Sequence, residues 1–314
     1  MHAPPGIATA PCPGDLSLPL PQSCEYARAV QLLGGEVRVA RVLSGRSVTG
    51  WCQIQARRIR PLGRVSLVSR GPVWQASADS DARVRWLAGW LADTRQSPLI
   101  LNADGLEPDA LRGAGLWPLM TPAAVALLDL GGNEAACRTR LHPKWRNRLV
   151  RAEDGPLQVI RRDFPADPDH WLLRAERAQA SQRRYRTAPA ALAAAYAAAN
   201  PGAAQLWTAQ LEGEDVAGLL ILRHGRMASY HVGHTTPTGR ALHAHNLLIW
   251  NAVCWLSAQG VDTLDMGTLN TQDAAGLARF KLGTGAEAVP LGGTWLYHPA
   301  LAPLARRLPA LLAA

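Results

Sequence analysis

Lysine is all but missing from this chain of 314 residues. Lys144 and Lys281 stand alone, while lysine and arginine together number 33. A GC-rich genome replaces lysine by arginine wherever either serves, so the two survivors are either chance or positions that need a compact, mobile ammonium rather than a rigid planar fork. Phenylalanine is as rare, with two residues, and cysteine numbers five. Cys12, Cys24, Cys52, Cys137 and Cys254 form no C-x-x-C pair, which argues against a zinc knuckle or a thioredoxin-type motif, and their odd number leaves one unpaired. Reduced, buried thiols are the plain expectation. No apolar run approaches the ~20 residues that a membrane helix needs. The start, M-H-A-P-P-G-I-A-T-A-P-C-P-G, has no basic stretch followed by an apolar one, so residues 1–20 read as a flexible Pro/Gly-rich segment of a cytoplasmic protein.

A hydrophobic content of 48% with 18% charged residues describes a globular chain, long enough for two domains. The net charge of +9 points to an anionic partner: nucleic acid, a nucleotide-bearing substrate, a pyrophosphate or a membrane surface. Composition does not choose among them.

The pattern of apolar residues and turns divides the chain into two halves of like order. In the first, a helix over 23–35 ends at Gly34-Gly35, and strands follow at Glu36–Leu43, Thr49–Ile59 and Gly63–Ser69. A helix over Asp79–Thr94, a strand at 98–103, a short helix at Pro108–Ala114 and a strand at Ala124–Leu130 complete it. In the second, a strand at Pro156–Arg162 precedes helices at Asp169–Ser181 and Pro189–Ala199. Strands at Gln205–Leu211, Asp215–His224 and Arg226–His234 lead to an apolar helix over His245–Gln259. A strand at Val261–Met266, a helix at Asp273–Leu282 and strand structure at Val289–Tyr297 close the chain. Residues 133–155 between the halves read as one basic helix. The expected organisation is therefore a first unit over 21–132, that linker, and a second unit over 156–314, each sheet with a splayed strand pair.

Three strands, a long helix after a short loop, then strand–helix–strand resembles the acyl-coenzyme-A N-acyltransferase (GNAT) layout. Two such units, with K-W-R-N-R-L-V-R-A-E between them and F-K-L-G-T-G near the end, resemble the FemAB-like branch, which includes peptidoglycan-bridge aminoacyltransferases and the BioF-like acetyltransferase group. The resemblance implies an α/β fold of two tandem GNAT-like units, with mixed, mostly antiparallel sheets flanked by helices. It implies an acyl-CoA or an aminoacyl-tRNA as donor, no metal, and a small-molecule or nucleotide-linked amine as acceptor. Two departures stand out. Acetyl-CoA-using members carry a glycine-rich segment before the long helix, where backbone N–H groups hold the pyrophosphate. Here the segment is R-A-L-H-A-H, so Arg240 is kept while His243 and His245 take the glycine positions. The long helical hairpin of many aminoacyl-tRNA-dependent members has no counterpart.

Acyl transfer to an amine needs a held donor, a proton acceptor and a stabilised oxyanion. Lys281 matches the lysine of the family's F-K motif and would supply positive charge, with a solvent-accessible lysine on the short helix as the plainer alternative. Asp265, at the carboxyl end of its strand, is a candidate base or amine anchor. His231, near the end of the central strand beside Tyr230, is a candidate proton acceptor, with a structural histidine as the plainer alternative. Arg140, Lys144, Arg148 and Arg151 fall on one helical face, with Arg146 off it. Together with Arg240 and Tyr230 they form the candidate phosphate- and substrate-binding set, against the alternative of a solvated basic face. His231 and His234 with His243 and His245 bring no cysteine or carboxylate at a recognised metal spacing. The reading is N-acyl or aminoacyl transfer by direct attack. A catalytically silent binder of a nucleotide-linked or polyanionic ligand, or a non-specific RNA binder, is the alternative.

Overall fold

The computed structural model describes residues 13, 16–44, 47–60, 63–75, 80–93, 98–104, 106–185 and 187–307. Most of the expected flexible segment lies outside them. The elements run α1 (Cys24–Leu32), β1 (Glu36–Ser44), β2 (Ser47–Ile59), β3 (Gly63–Gly71), β4 (Val73–Trp74), α2 (Ser80–Asp93), β5 (Leu99–Ala103), α3 (Pro108–Gly113), β6 (Leu116–Met120), β7 (Ala124–Asp129), α4 (Glu134–Arg140) and α5 (Pro143–Glu153). They continue as β8 (Gln158–Asp163), α6 (Trp171–Arg183), α7 (Ala190–Ala199), β9 (Ala204–Leu211), β10 (Glu214–His224), β11 (Met227–Thr235), α8 (Pro237–Ala241), α9 (Ala244–Ala258), β12 (Thr263–Leu269), α10 (Ala275–Leu282), β13 (Glu287–Pro290), β14 (Thr294–Tyr297) and α11 (Ala302–Ala305).

Two mixed, mostly antiparallel seven-stranded sheets result, in the orders β1-β2-β3-β5-β14-β6, with β4 beside β2, and β13-β7-β12-β11-β10-β9-β8. One compact unit contains Gly34–Ala123 and the chain from Pro290, and the other contains Ala124–Val289. The domain boundaries expected at 132 and 156 therefore move. β7 lies against β12 in the second sheet, and β14 lies against β5 in the first. Each strand fills the same slot in its sheet but comes from the opposite flank of the second unit. Backbone groups of β5 and β12 must find partners, and long-range pairing rather than chain proximity supplies them.

The linker expected as one helix is two. Pro143 disfavours helical geometry in the residue before it, so Leu141 and His142 are extended and α4 ends at Arg140. Proline then opens α5 at its first turn, where its missing N–H costs nothing, and His142 Nδ1 accepts the N–H of Lys144 at 3.2 Å. The cysteine expectation also changes, because Cys24 is disulfide-bonded while Cys52, Cys137 and Cys254 are free. Neither spacing nor count in the sequence signals that bond.

The second unit's core forms where α9 packs on β9 and β10. α9 is apolar nearly all round, and Leu248, Ile249 and Leu256 are fully buried against Trp207, Leu219 and Ile221. Each such side chain contributes roughly 1.5–3 kcal/mol of burial free energy. α5 lays Trp145, Leu149 and Ala152 into the same core and keeps its basic residues outside. β11 and β12 pair in parallel only from Met227 to Ser229 and from Thr263 to Asp265, then part. The matching pair of the first unit, β3 and β5, stays paired from Ser66 to Gly71, with one register shift between Ser69 and Gly71. The expected splay is thus found in the second sheet and not in the described residues of the first.

Candidate active site

The parting of β11 from β12 exposes a strand end on each side. β11 carries a bulge opposite Leu220 and Ile221, at which His231 is the extra residue. Beyond the bulge, Gly233 leaves room for two rings. A methyl group built there would overlap the Tyr230 hydroxyl and lie 2.7 Å from His245 Cε1. Tyr230 OH and His245 Nε2 are 3.0 Å apart, and His245 Nδ1 is 3.3 Å from Thr235 Oγ1. His245, Phe280 and Trp145 continue the row of rings, with centroids 5.6 and 6.0 Å apart. Burial pushes the Tyr230 phenol up and holds His231 and His245 down at about 4, so both imidazoles are neutral at pH 7.

On β12, Asp265 is 4% exposed and its Oδ1 accepts the N–H of Gly267 at 2.7 Å. Gly267 adopts φ +81°, a left-handed turn that breaks the ladder with β7 between Asp265 and Thr268. Lys281 comes from α10 and is 7% exposed, with Nζ donating to the carbonyl of Thr268 at 2.8 Å. Burial lowers its pKa from the ordinary lysine value and the charge of Asp265 opposes that shift. The lysine is therefore a buried cation aimed at the interrupted strand, not the solvated side chain of the plainer sequence reading.

The basic residues divide. Lys144 and Arg148 line a cleft of about 600 Å³ between α5 and α10, together with His142, Arg279, Trp145 and Phe280. Arg151 is exposed on the same helix, and Arg148 and Arg151 are close enough to depress the pKa of His243, whose largest shift comes from burial. Arg146 is part-buried and off the cleft's lining. Arg140 leaves the face altogether, because α4 has ended and its guanidinium donates to the carbonyls of Asp129 and Gly131. Arg240 lies on α8, where its charge bears on His234.

His243 caps α9 in the left-handed region, φ 54°, the conformation a glycine would take there. His245, by contrast, turns its ring inward to Tyr230 and Thr235. Of the two histidines expected to crowd a phosphate cradle, only His243 stays at the N-terminal cap of α9 without turning inward. The sequence reading missed Arg279, which lines the cleft two residues before Lys281. Among the described residues no group of three or more His, Cys, Asp or Glu could hold a metal ion, and no helix is long and apolar enough to cross a membrane.

Residues 140–282, which span this whole site, match the acetyltransferase (GNAT) domain family. That stretch of the second unit is similar to GNAT domains. The crystal structure of FemX superposes with a TM-score of 0.72 at 15% identity, covering 91% of this chain and 93% of that one. A conserved protein of unknown function from Bacteroides thetaiotaomicron follows at 0.56 and 13%, covering 90% of each. The L-PGS of Bacillus licheniformis gives 0.51 and 15%, covering 90% of this chain and 88% of that one. At such identities the likeness establishes the fold alone, two mixed sheets flanked by helices as in FemX. No curated protein matches the chain in sequence.

Proposed function

We propose that the chain transfers an acyl or aminoacyl group to the amine of a small-molecule or nucleotide-linked acceptor by direct attack, without a covalent enzyme intermediate. The observation that carries this reading is the buried Lys281 ammonium, bound to the Thr268 carbonyl where β12 has left β11, beside a cleft lined by Lys144, Arg148 and Arg279. A cation fixed before the reaction begins stabilises the oxyanion of a tetrahedral intermediate without reorganising. The charge of Asp265 opposes the lowering of the Lys281 pKa that burial causes. The cleft suits the phosphates of an acyl-CoA or of an aminoacyl-tRNA's 3′ end, which the cations of α5 and α10 would hold. A cysteine relay is disfavoured, since burial raises Cys52 far above and Cys254 to about 11, leaving neither thiol ionised at pH 7.

A second reading, a silent module that binds a polyanion, draws on His243 at the N-terminal cap of α9. One experiment separates the two. The purified protein is incubated with acetyl-CoA or with charged total tRNA and a mixture of primary amines, and amide products are sought by mass spectrometry. An amide formed from either donor supports transfer. Retention of the donor with no amide from either supports the silent module.

A further inference from the structure

The opposite face of the β10–β11 ladder carries a second polar cluster that the transfer reading leaves unused. His234 pairs directly with Gly218 on β10, so its side chain projects on the face where a Gly218 side chain would lie. That face is covered by α6, since a methyl group on Gly218 would meet Trp171 at 2.7 Å and Leu172 at 3.1 Å. Four residues beyond Leu172, on the same helical stripe, stands Glu176. Its Oε1 accepts the Tyr185 hydroxyl at 2.9 Å, and Gln179 Nε2 donates to that hydroxyl at 3.0 Å, which fixes the carboxylate. Arg184, left-handed at the end of α6, turns the chain so that Tyr185 reaches back. His234 Nδ1 is buried with no hydrogen-bond partner, which leaves Nε2 as the ring nitrogen that meets solvent.

We propose that Glu176 and His234 form the acceptor site of the transfer reaction, Glu176 holding the acceptor as a primary ammonium and His234 removing its proton. The proposal rests on the acyl-transfer reading. Glu176 is the carboxylate whose charge reaches both His234 and Tyr230 at the splayed end of β11. The groups that act on His234 are Arg240 from α8 and Glu176 from α6, and His234 in turn bears on His245 of α9. Burial first, then Arg240, lowers the pKa of His234, and Glu176 partly restores it, so the ring is neutral at pH 7 and able to accept a proton. In the step, R–NH3+ gives one proton to Nε2 and becomes R–NH2. Its lone pair forms the N–C bond at the donor carbonyl. The donor's C–S or C–O bond breaks, and the leaving thiolate or alkoxide takes the second nitrogen proton. The products are the amide, the free thiol or alcohol, and an imidazolium that returns its proton to water.

The test uses n-butylammonium as the ammonium probe and tetramethylammonium, which has no N–H, as its control. Side-chain nuclear magnetic resonance of 15N-histidine-labelled protein follows His234. Butylammonium is expected to shift the His234 signals saturably in the wild type and in Glu176→Asp, and not in Glu176→Gln, while tetramethylammonium leaves them in place. The His234 titration should also fall to lower pH in Glu176→Gln. Equal shifts with both cations, or an unchanged response in Glu176→Gln, overturn the ammonium site. With the donor in hand and n-butylamine as acceptor, His234→Gln should lower kcat about 100-fold and remove the acidic limb of the pH profile. A wild-type rate in that variant overturns the proton-transfer role. A wild type that binds butylammonium as described yet forms no amide from either donor overturns the transfer reading and the proton step with it, and leaves the ammonium site standing.

Discussion

The strand pairs β3–β5 and β11–β12 hold the same place in the two sheets, yet one stays paired to the end of both strands, across one register shift, and the other opens after three residues. One face of the closed pair is apolar, where Val68, Leu101 and Leu87 are fully buried in a core with Trp295, while Ser69 and Asn102 meet side chain to side chain and Asn102 donates to Thr294 Oγ1. Around the open pair stand Tyr230, His231, Asp265 and Lys281, each held by a specific bond or by burial. An interrupted ladder leaves backbone groups that need partners, and polar side chains supply them, as Lys281 does for Thr268. The duplicated plan thus yields one sheet that is scaffold and one that gathers charge. A bulge at His231 and a left-handed glycine at 267 are the local devices that separate them.

Glycine substitutions test this contrast with the largest expected change in stability. Gly233→Ala forces Tyr230 and His245 apart and should cost about 1–3 kcal/mol in denaturant unfolding. Gly89→Ala in α2 of the first unit meets nothing within 4 Å and should stabilise by about 0.5–1 kcal/mol. Equal costs at the two positions would erase the distinction.

Acid should act on the open sheet next. The folded-state pKa values of His231 and His245 lie near 4, below the unfolded value of about 6.5. Between those limits the unfolded chain binds more protons, so stability falls as pH drops from about 6.5 toward 4. Urea titrations at stepped pH should show that slope in the wild type and a shallower one in His245→Gln. A wild-type stability that is flat over this window contradicts the burial of these rings.

Lys144→Ala removes one cation from an exposed cleft wall and should raise the donor's KM up to about tenfold while leaving kcat little changed. A fall in kcat alone would move Lys144 out of the binding role. The smallest effect is expected at the N-terminal cap of α9. His243 is strained at φ 54°, so His243→Gly should leave stability within about 1 kcal/mol and strengthen acetyl-CoA binding, which is expected to be weak in the wild type. Tight acetyl-CoA binding in the wild type by calorimetry would show that His243 obstructs nothing.

Much of this architecture is legible in the sequence where signals are local. The periodicity of α9, the meander β9–β11 and the glycine that ends α1 all act within a few residues. β6 and α8 escaped because Leu116–Met120 holds a proline and Pro237–Ala241 is a single turn. The exchange of β7 and β14 was invisible because it depends on pairing across most of the chain. Scarcity of lysine drew attention to both ends of the site, Lys144 at the cleft and Lys281 at the strand. Glu176 and Arg279 were not legible, since only the packing of α6 on β11 and of α10 beside α5 gives them neighbours.

Lys281 tests the central claim most directly, because it is the one residue whose burial and aim make the open sheet a site. Single-turnover transfer should be measured with wild type, Lys281→Ala and Lys281→Arg, alongside their unfolding curves. The sequence alone gave an accessible lysine, whose loss would alter folding by less than about 0.5 kcal/mol. At 7% exposure, with the Thr268 carbonyl as partner, Lys281→Ala should cost about 1–3 kcal/mol instead. Where the variant is still folded, transfer should fall about 100-fold or more, and arginine should restore it only in part. Wild-type transfer by folded Lys281→Ala would contradict the account and leave Lys281 a structural cation.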